Sequence, residues 1–277
     1  MKNKTESEHS NLQMIRESLT SQGEYQLISE WLDSRIYHSI GAVFFLAHTQ
    51  AINAQWQLLR LYASNQQDEL LGVAVVLAGD TCFWVPEQSS FAGSLCSAIF
   101  ELQPRRIVTT PFGRDLLHTH MGHQVSILRE YDQWIMVSTR RFPQTSSRLA
   151  ITSDIPRLVE YQYFYNKERS VDEVPDWESL IQQAKVVVHE FDRQIVSIVR
   201  FGIETHRLVN IGGTYTFPAY RRQGYAESVL AFAVNQIVES GRTAHLVVDV
   251  DNTSAIELYR QMGFECIGSS YVGYLEY

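Results

Sequence analysis

The stretch from Leu208 to Val238 constrains this chain more than any other. A short apolar segment, Leu208 to Phe217, gives way to the basic turn Arg221-Arg222-Gln223-Gly224-Tyr225-Ala226. Pro218 cannot donate to a ladder, so Thr216-Phe217-Pro218 marks a strand end. After the turn, Ala226, Val229, Leu230, Ala233, Val234, Ile237 and Val238 recur at three- and four-residue steps. That spacing predicts a helix with one apolar face, which Gly241 can end. A strand that enters a helix through such a turn can hold a phosphate. The first helical N–H groups lack internal partners, and the helix dipole adds positive potential there. Gly224 can take φ > 0 and admit an anion closely, and Arg221 and Arg222 can add charge-assisted contacts.

Two other phosphate-binding architectures are excluded. The chain has no G-x-x-x-x-G-K-[ST] and no G-x-G-x-x-G after a strand. Downstream, Thr243 to Val250 reads as a buried strand centred on Leu246, Val247 and Val248. Asp251-Asn252-Thr253-Ser254 then carries helix-start chemistry, with Glu257 three residues after Ser254 as a capping box. A short helix with Ala255, Ile256, Leu258, Tyr259 and Met262 stops at Gly263. Phe264 to Ile267 and Ser270 to Tyr277 read as two closing strands.

Together these segments resemble the acetyl-CoA-binding half of the GNAT superfamily of N-acetyltransferases. Thr216-x-Pro218-x-x-Arg221-Arg222-x-Gly224-x-Ala226 is similar to that family's strand-to-helix pyrophosphate motif. Asn252-x-x-Ala255-x-x-Leu258-Tyr259-x-x-x-Gly263-Phe264 is similar to its second motif. The order and separation of the two also agree. Ala226 departs from the glycine many members have, a change the family tolerates. The match is clear over Ile211 to Ile267 and extends more loosely back to Arg148. It implies an α/β fold with a mixed sheet (α+β), a GNAT domain over 148–277 and a GNAT-like or related α/β domain over 1–141.

The resemblance also implies a site. In the family the domain's fourth strand splays from the fifth, and pantetheine pairs with the exposed edge of the fourth, here Gly213 to Phe217. A backbone N–H near Tyr215 or Thr216 would face the acetyl oxygen. The pyrophosphate of acetyl-CoA, the coenzyme A donor, would rest on Arg222, Gln223, Gly224, Tyr225 and Ala226. Asn252 would contact the cofactor arm. Direct attack of a neutral amine on a thioester needs no covalent enzyme intermediate. The protein must position the donor, stabilise an oxyanion, take a proton from the amine and help the thiolate leave. Tyr259, protonated at neutral pH, is the expected general acid. Asp249, at the end of the fifth strand, is the candidate base, directly or through a water; its other reading is a strand-end residue accepting local bonds. Glu204 and His206 lie in a turn farther off.

The remaining features narrow the function class. Net charge is −8, and 45% of residues are apolar. The acidic balance disfavours nucleic acid and anionic membrane as partners and is compatible with amine substrates. Cys82, Cys96 and Cys266 are scattered without C-x-x-C spacing, which argues for reduced thiols in a cytosolic, cytoplasmic protein. Met1 to Ser10 is polar and lacks the apolar core of a secretion signal. His118-x-His120-x-x-His123 has the composition of a metal site, but on a helix residues 118 and 120 point about 200° apart, so no metal is expected. Tyr161, Tyr163, Phe164 and Tyr165 cluster where an acceptor site or a helix–sheet contact would use them. The leading function is N-acetyl transfer to a primary amine, on a small molecule or a peptide. The alternative is a non-catalytic acyl-CoA-binding sensor or scaffold. A homodimer is common in the family, though a tandem chain could imitate one internally.

The first half offers weaker signals. Residues 1–10 read as a disordered start, and Gly23 to Asp33 and Gln50 to Tyr62 as helices. Glu69 to Leu77 and Cys82 to Val85 form a hairpin through Gly79-Asp80. Ser90 to Leu102 is a helix, Arg106 to Thr109 a strand, Arg114 to Met121 a helix and Gln133 to Ser138 a strand. The polar stretch Phe142 to Ser147 suggests the domain boundary. Aligning Met121-Gly122 with Met262-Gly263 places His118 opposite Tyr259 and Pro111 opposite Asn252. That alignment suggests a degenerate first copy of the same fold, without the basic glycine turn.

Overall fold

The structure is a computed structural model that describes residues 11–17, 22–48, 56–65, 67–77, 79–86 and 92–277. The expectation for residues 1–10 lies outside that set. Contacts divide the chain into two compact units, residues 1–133 with 268–277, and residues 134–267.

The first unit begins with β1 (Asn11–Glu17), α1 (Gln22–Asp33), α2 (Ile36–His48) and β2 (Trp56–Asn65). It continues with β3 (Gln67–Leu77), β4 (Thr81–Pro86), α3 (Ala92–Glu101), β5 (Arg106–Thr109) and α4 (Pro111–His120). β6 (Ser126–Ser138) follows. The β3–β4 hairpin is antiparallel, turning at Gly79 with φ 71°, and β4 pairs parallel with β5. The helix read over Gln50 to Tyr62 is corrected: residues 50–55 lie outside the described set, and Trp56–Asn65 is a strand. Its register with β3 runs from Trp56↔Leu77 to Asn65↔Gln67, so a long hairpin overrides a helix-compatible sequence. Apolar residues of β3, β4, α3, α4 and β5 form one core with Tyr271 and Leu275.

The second unit holds β7 (Arg148–Leu149), α5 (Ile155–Arg169), α6 (Trp177–Gln182), β8 (Val186–Phe191) and β9 (Gln194–Glu204). It goes on through β10 (Leu208–Thr216), α7 (Tyr225–Glu239), β11 (Thr243–Asp249) and α8 (Thr253–Gln261) to the start of β12 (Glu265–Glu276). The two closing strands expected at the C-terminus are one strand, unbroken at Gly268. Its later part, Tyr271–Tyr274, pairs antiparallel with β5 in the first unit. Phe142, in the polar stretch read as a boundary, is tied to α7 by reciprocal bonds with the Asn235 amide at 2.9 and 3.0 Å.

Two apolar layers cover the second unit's sheet. Val187, Val199, Ala244, Leu246 and Val248 pack with α7 and α8, while Val186, Val188 and Ile198 pack with α5 and α6. Strand periodicity alone accounts for that division, since successive residues face opposite sides.

Candidate active site

β10 is where the periodicity breaks. Val209 and Ile211 belong to the α7 layer, yet Tyr215 and Phe217 belong to the α5 layer. Strict alternation would keep all four on one side. The register to β9 shifts between Gly212 and Tyr215, and Gly213 has φ 62°. An extra residue in the strand thus reverses which face its side chains reach. The parallel ladder from β10 to β11 covers only Leu208–Asn210 against Thr243–His245. From Ile211 onward, β10 has β9 on one side and leaves the ladder to β11, the splay that the family resemblance implies.

Side chains converge on this opening. The Tyr161 hydroxyl donates to the Gly213 carbonyl at 2.7 Å. Arg200, on β9, lies so close that a Cβ on Gly213 would fall 2.5 Å from its Nε. Its Nη2 donates to Glu173 at 2.8 Å. Asn166 holds the Glu173 backbone carbonyl at 2.8 Å. Tyr259, on α8, is 9% exposed. Burial pushes its phenol up from the ordinary tyrosine value, and Thr214 offsets part of the rise. The Thr214 Oγ1 does not meet hydrogen-bond geometry and is among the buried side-chain oxygens without a partner. Asp249 pairs with Arg169 from the end of α5.

The turn after β10 brings its predicted residues together. A 3-10 turn at Pro218–Tyr220 leads to Arg221; Arg222 has φ 61° and Gly224 has φ 83°. Gly224 is the N-cap of α7, without a side-chain cap, and a Cβ there would meet open space. This is the geometry an anion at a helix start requires. Arg221 is already engaged: its Nε donates to the Thr216 carbonyl at 2.9 Å and its Nη2 pairs with Glu168 at 2.6 Å. Gln223 donates to the Ala219 carbonyl at 3.3 Å. The Tyr225 ring packs with His189, Phe191 and Tyr220.

Other predicted residues take structural positions. Tyr215 and Phe217 are core side chains, so only their backbones can face a ligand. The Thr216 hydroxyl bonds Ser197 at 2.9 Å. Asn252 caps α8, its Oδ1 accepting from the Ala255 N–H at 3.4 Å. That corrects the Ser254 capping box: Asn252 is bonded to the end of β11 through its own N–H and so already stands at the cap position. Glu204 is paired with Arg242 at 2.7 Å and Lys185 at 3.2 Å. Tyr161 is fully buried, whereas Tyr163 is 63% exposed. His118 pairs with Glu130 at 3.0 Å, and the described residues contain no group of three or more metal-ligating side chains. No helix of the described residues is long and apolar enough to cross a membrane.

Sequence reading did not single out Arg200, Glu173, Arg169 or Thr214. Arg200 carried one signal, an arginine following Ile195 to Val199, a buried strand segment apolar but for Ser197.

Comparison with known proteins agrees with this geometry. Residues 155–264 match the model of the Acetyltransferase (GNAT) family. A GCN5-related N-acetyltransferase from Sphaerobacter thermophilus is 15% identical, with a TM-score of 0.60 over 95% of each chain. A GNAT-family acetyltransferase from Colwellia psychrerythraea is 13% identical, with a TM-score of 0.57 over 96% of this chain and 100% of that one. A tandem GNAT protein from the clavulanic acid biosynthesis pathway is 10% identical, with a TM-score of 0.52 over 96% and 98%. These likenesses are of fold. No curated protein matches the chain in sequence.

Proposed function

We propose that this protein is an N-acyltransferase that moves an acetyl group from acetyl-CoA to a primary amine, with small-molecule or peptide acceptors as the substrate class. The observation that carries the reading is the opening of β10 from β11 beyond Asn210, with Tyr259 and Thr214 at its mouth and the Gly224-capped start of α7 at its end. The residues present fit the donor. The N–H groups of the α7 start and Arg222 would hold the diphosphate, and Arg221 would join them on leaving Glu168. The freed edge of β10 would pair with the pantetheine amides.

The amine lone pair attacks the thioester carbon, the C–S bond breaks, and the thiolate takes the Tyr259 proton. The proton lost by the nitrogen returns to the phenol through solvent. The Asp249 carboxylate is occupied by Arg169, so Asp249 anchors that pair and water takes the amine proton. The first unit repeats the strand–helix–strand–helix order β4-α3-β5-α4 with a parallel β4–β5 pair, as β10-α7-β11-α8 does with β10–β11. That likeness supports a tandem arrangement in which the first copy lacks the phosphate turn.

The test is release of free thiol from acetyl-CoA over a panel of amines, together with calorimetric binding of coenzyme A. Binding with release supports transfer. Binding without release on any amine replaces it with the sensor reading, and absence of binding removes both.

A further inference from the structure

The α5 side of the opening carries a charge pattern that bears on the acceptor. Arg200 is desolvated, its side chain 16% exposed, and lies within 6.0 Å of the Tyr161, Tyr165 and Trp177 rings. Glu173, its partner, is 46% exposed and reaches in from the loop after α5. Arg169 and Asp249 form a second pair at the other end. Tyr165 links the two pairs: Arg200 lies 5.7 Å from its ring, and Arg169 stands one turn further along α5. Each pair is neutral in itself, and Asp251 adds a negative charge on the Arg169 side.

A bare ammonium or a polyamine meets a poor site here. A guanidinium resting on the Gly213 backbone, at the bulge where the acyl carbon would be attacked, repels a second cation, and low local dielectric strengthens the repulsion. A polyamine site would instead need an acidic surplus at the bulge itself, where Arg200 and Glu173 cancel. The same guanidinium, with one bond to a half-exposed glutamate, is well placed to take an incoming carboxylate.

We infer that the acceptor is an amino-carboxylate of amino-acid size, its carboxylate bound by Arg200 and its amine turned toward Thr214 and Tyr259. This rests on the acyl-transfer reading above. Glu173 yields the guanidinium when the substrate arrives, and the two flanking carboxylates balance the ammonium until it loses its proton.

Matched acceptors test the inference. Thiol release from acetyl-CoA is followed with the proteinogenic amino acids, their α-carboxamides, putrescine and a lysine-bearing peptide. At least one amino acid should exceed its own amide and putrescine in kcat/KM by ~10-fold or more, the scale of losing one buried charge partner. R200Q should raise KM for that amino acid ~10-fold or more and collapse its preference over its own amide, with KM for acetyl-CoA changed far less. R200K, which keeps the charge without the planar fork, should restore part of the loss and serves if R200Q does not fold. Amides or putrescine performing as well as amino acids, or R200Q and R200K lowering every acceptor equally, would overturn the inference while leaving acyl transfer standing. Thiol release from no acceptor would instead sink the transfer reading itself.

Discussion

The Tyr161 hydroxyl and the Arg200 guanidinium share the space above the Gly213 Cα, at 2.7 and 2.5 Å from where a Cβ would stand. A helix and a neighbouring strand thus meet on the one residue where β10 reverses its faces. Three demands coincide there: positive φ, no side chain, and a carbonyl aimed at Tyr161. Only glycine meets all of them.

Gly213→Ala should therefore cost stability as well as activity. The left-handed conformation alone costs about 1–2 kcal/mol for an L-residue, and the clash adds to it. Chemical denaturation should show a loss of about 2–4 kcal/mol in all. Thiol release should fall even where the variant is fully folded. A variant with unaltered stability would mean that the bulge relaxes without cost.

Tyr259→Phe removes the proton that the leaving thiolate needs. We expect kcat to fall ~10²–10⁴-fold with acetyl-CoA affinity nearly unchanged. Burial raises the phenol pKa, so the folded protein holds this proton more tightly than the unfolded chain. The stability tied to it is complete below the unfolded value of about 10 and is lost as pH rises through the folded value. Tyr259→Phe should lessen that alkaline loss, which thermal melts between neutral and strongly alkaline pH can read. Undiminished turnover at saturating substrate would remove Tyr259 from the chemistry.

The Glu168–Arg221 pair sets the charge available to the phosphate turn. Both side chains are about half exposed, 49% and 40%, so breaking the pair should scarcely alter stability. Its effect belongs on ligand affinity. Arg221→Gln should weaken coenzyme A binding roughly 5–20-fold and flatten its salt dependence. Glu168→Gln should act oppositely, tightening binding a few-fold by releasing the guanidinium. Both variants binding as the parent does would show that the helix start holds the diphosphate without Arg221.

Much of the second unit was legible because its signals are local. Apolar spacing after Gly224 marks α7 to within a residue or two, and Pro218 marks the end of β10. The turn residues Arg222 to Ala226 sit together because they are consecutive. Around Gly213 only the aromatic cluster at 161–165 was legible, since Arg200 and Glu173 come from a strand and a loop that the fold alone brings to Tyr161. In the first unit, β2 was mistaken for a helix because its strand character depends on pairing with β3, a non-local term. β12 likewise runs unbroken through Gly268, and its later part is held by β5, a partner distant in sequence.

Asp154 gives a test of the second unit's scaffold that is independent of chemistry. Its Oδ2 accepts from the Ile151 N–H at 2.8 Å and from Arg148 at 2.7 Å, while Oδ1 accepts from the other Arg148 nitrogen at 3.1 Å. The carboxylate closes the entry to α5, the helix that carries Tyr161 and Arg169. Burial alone would raise its pKa, but Arg148 and the Ile151 amide outweigh burial and hold it below the usual aspartate value. A lowered folded pKa means that the stability is present above the unfolded value of about 3.9 and is lost as pH falls through the folded one. Asp154→Asn should cost about 1–3 kcal/mol at pH 7, because the Arg148 cation loses its buried partner. Urea unfolding at successively lower pH should show the parent and variant curves converge below pH 4. A gap that persists undiminished into that range would mean that Asp154 acts through shape and not through its charge.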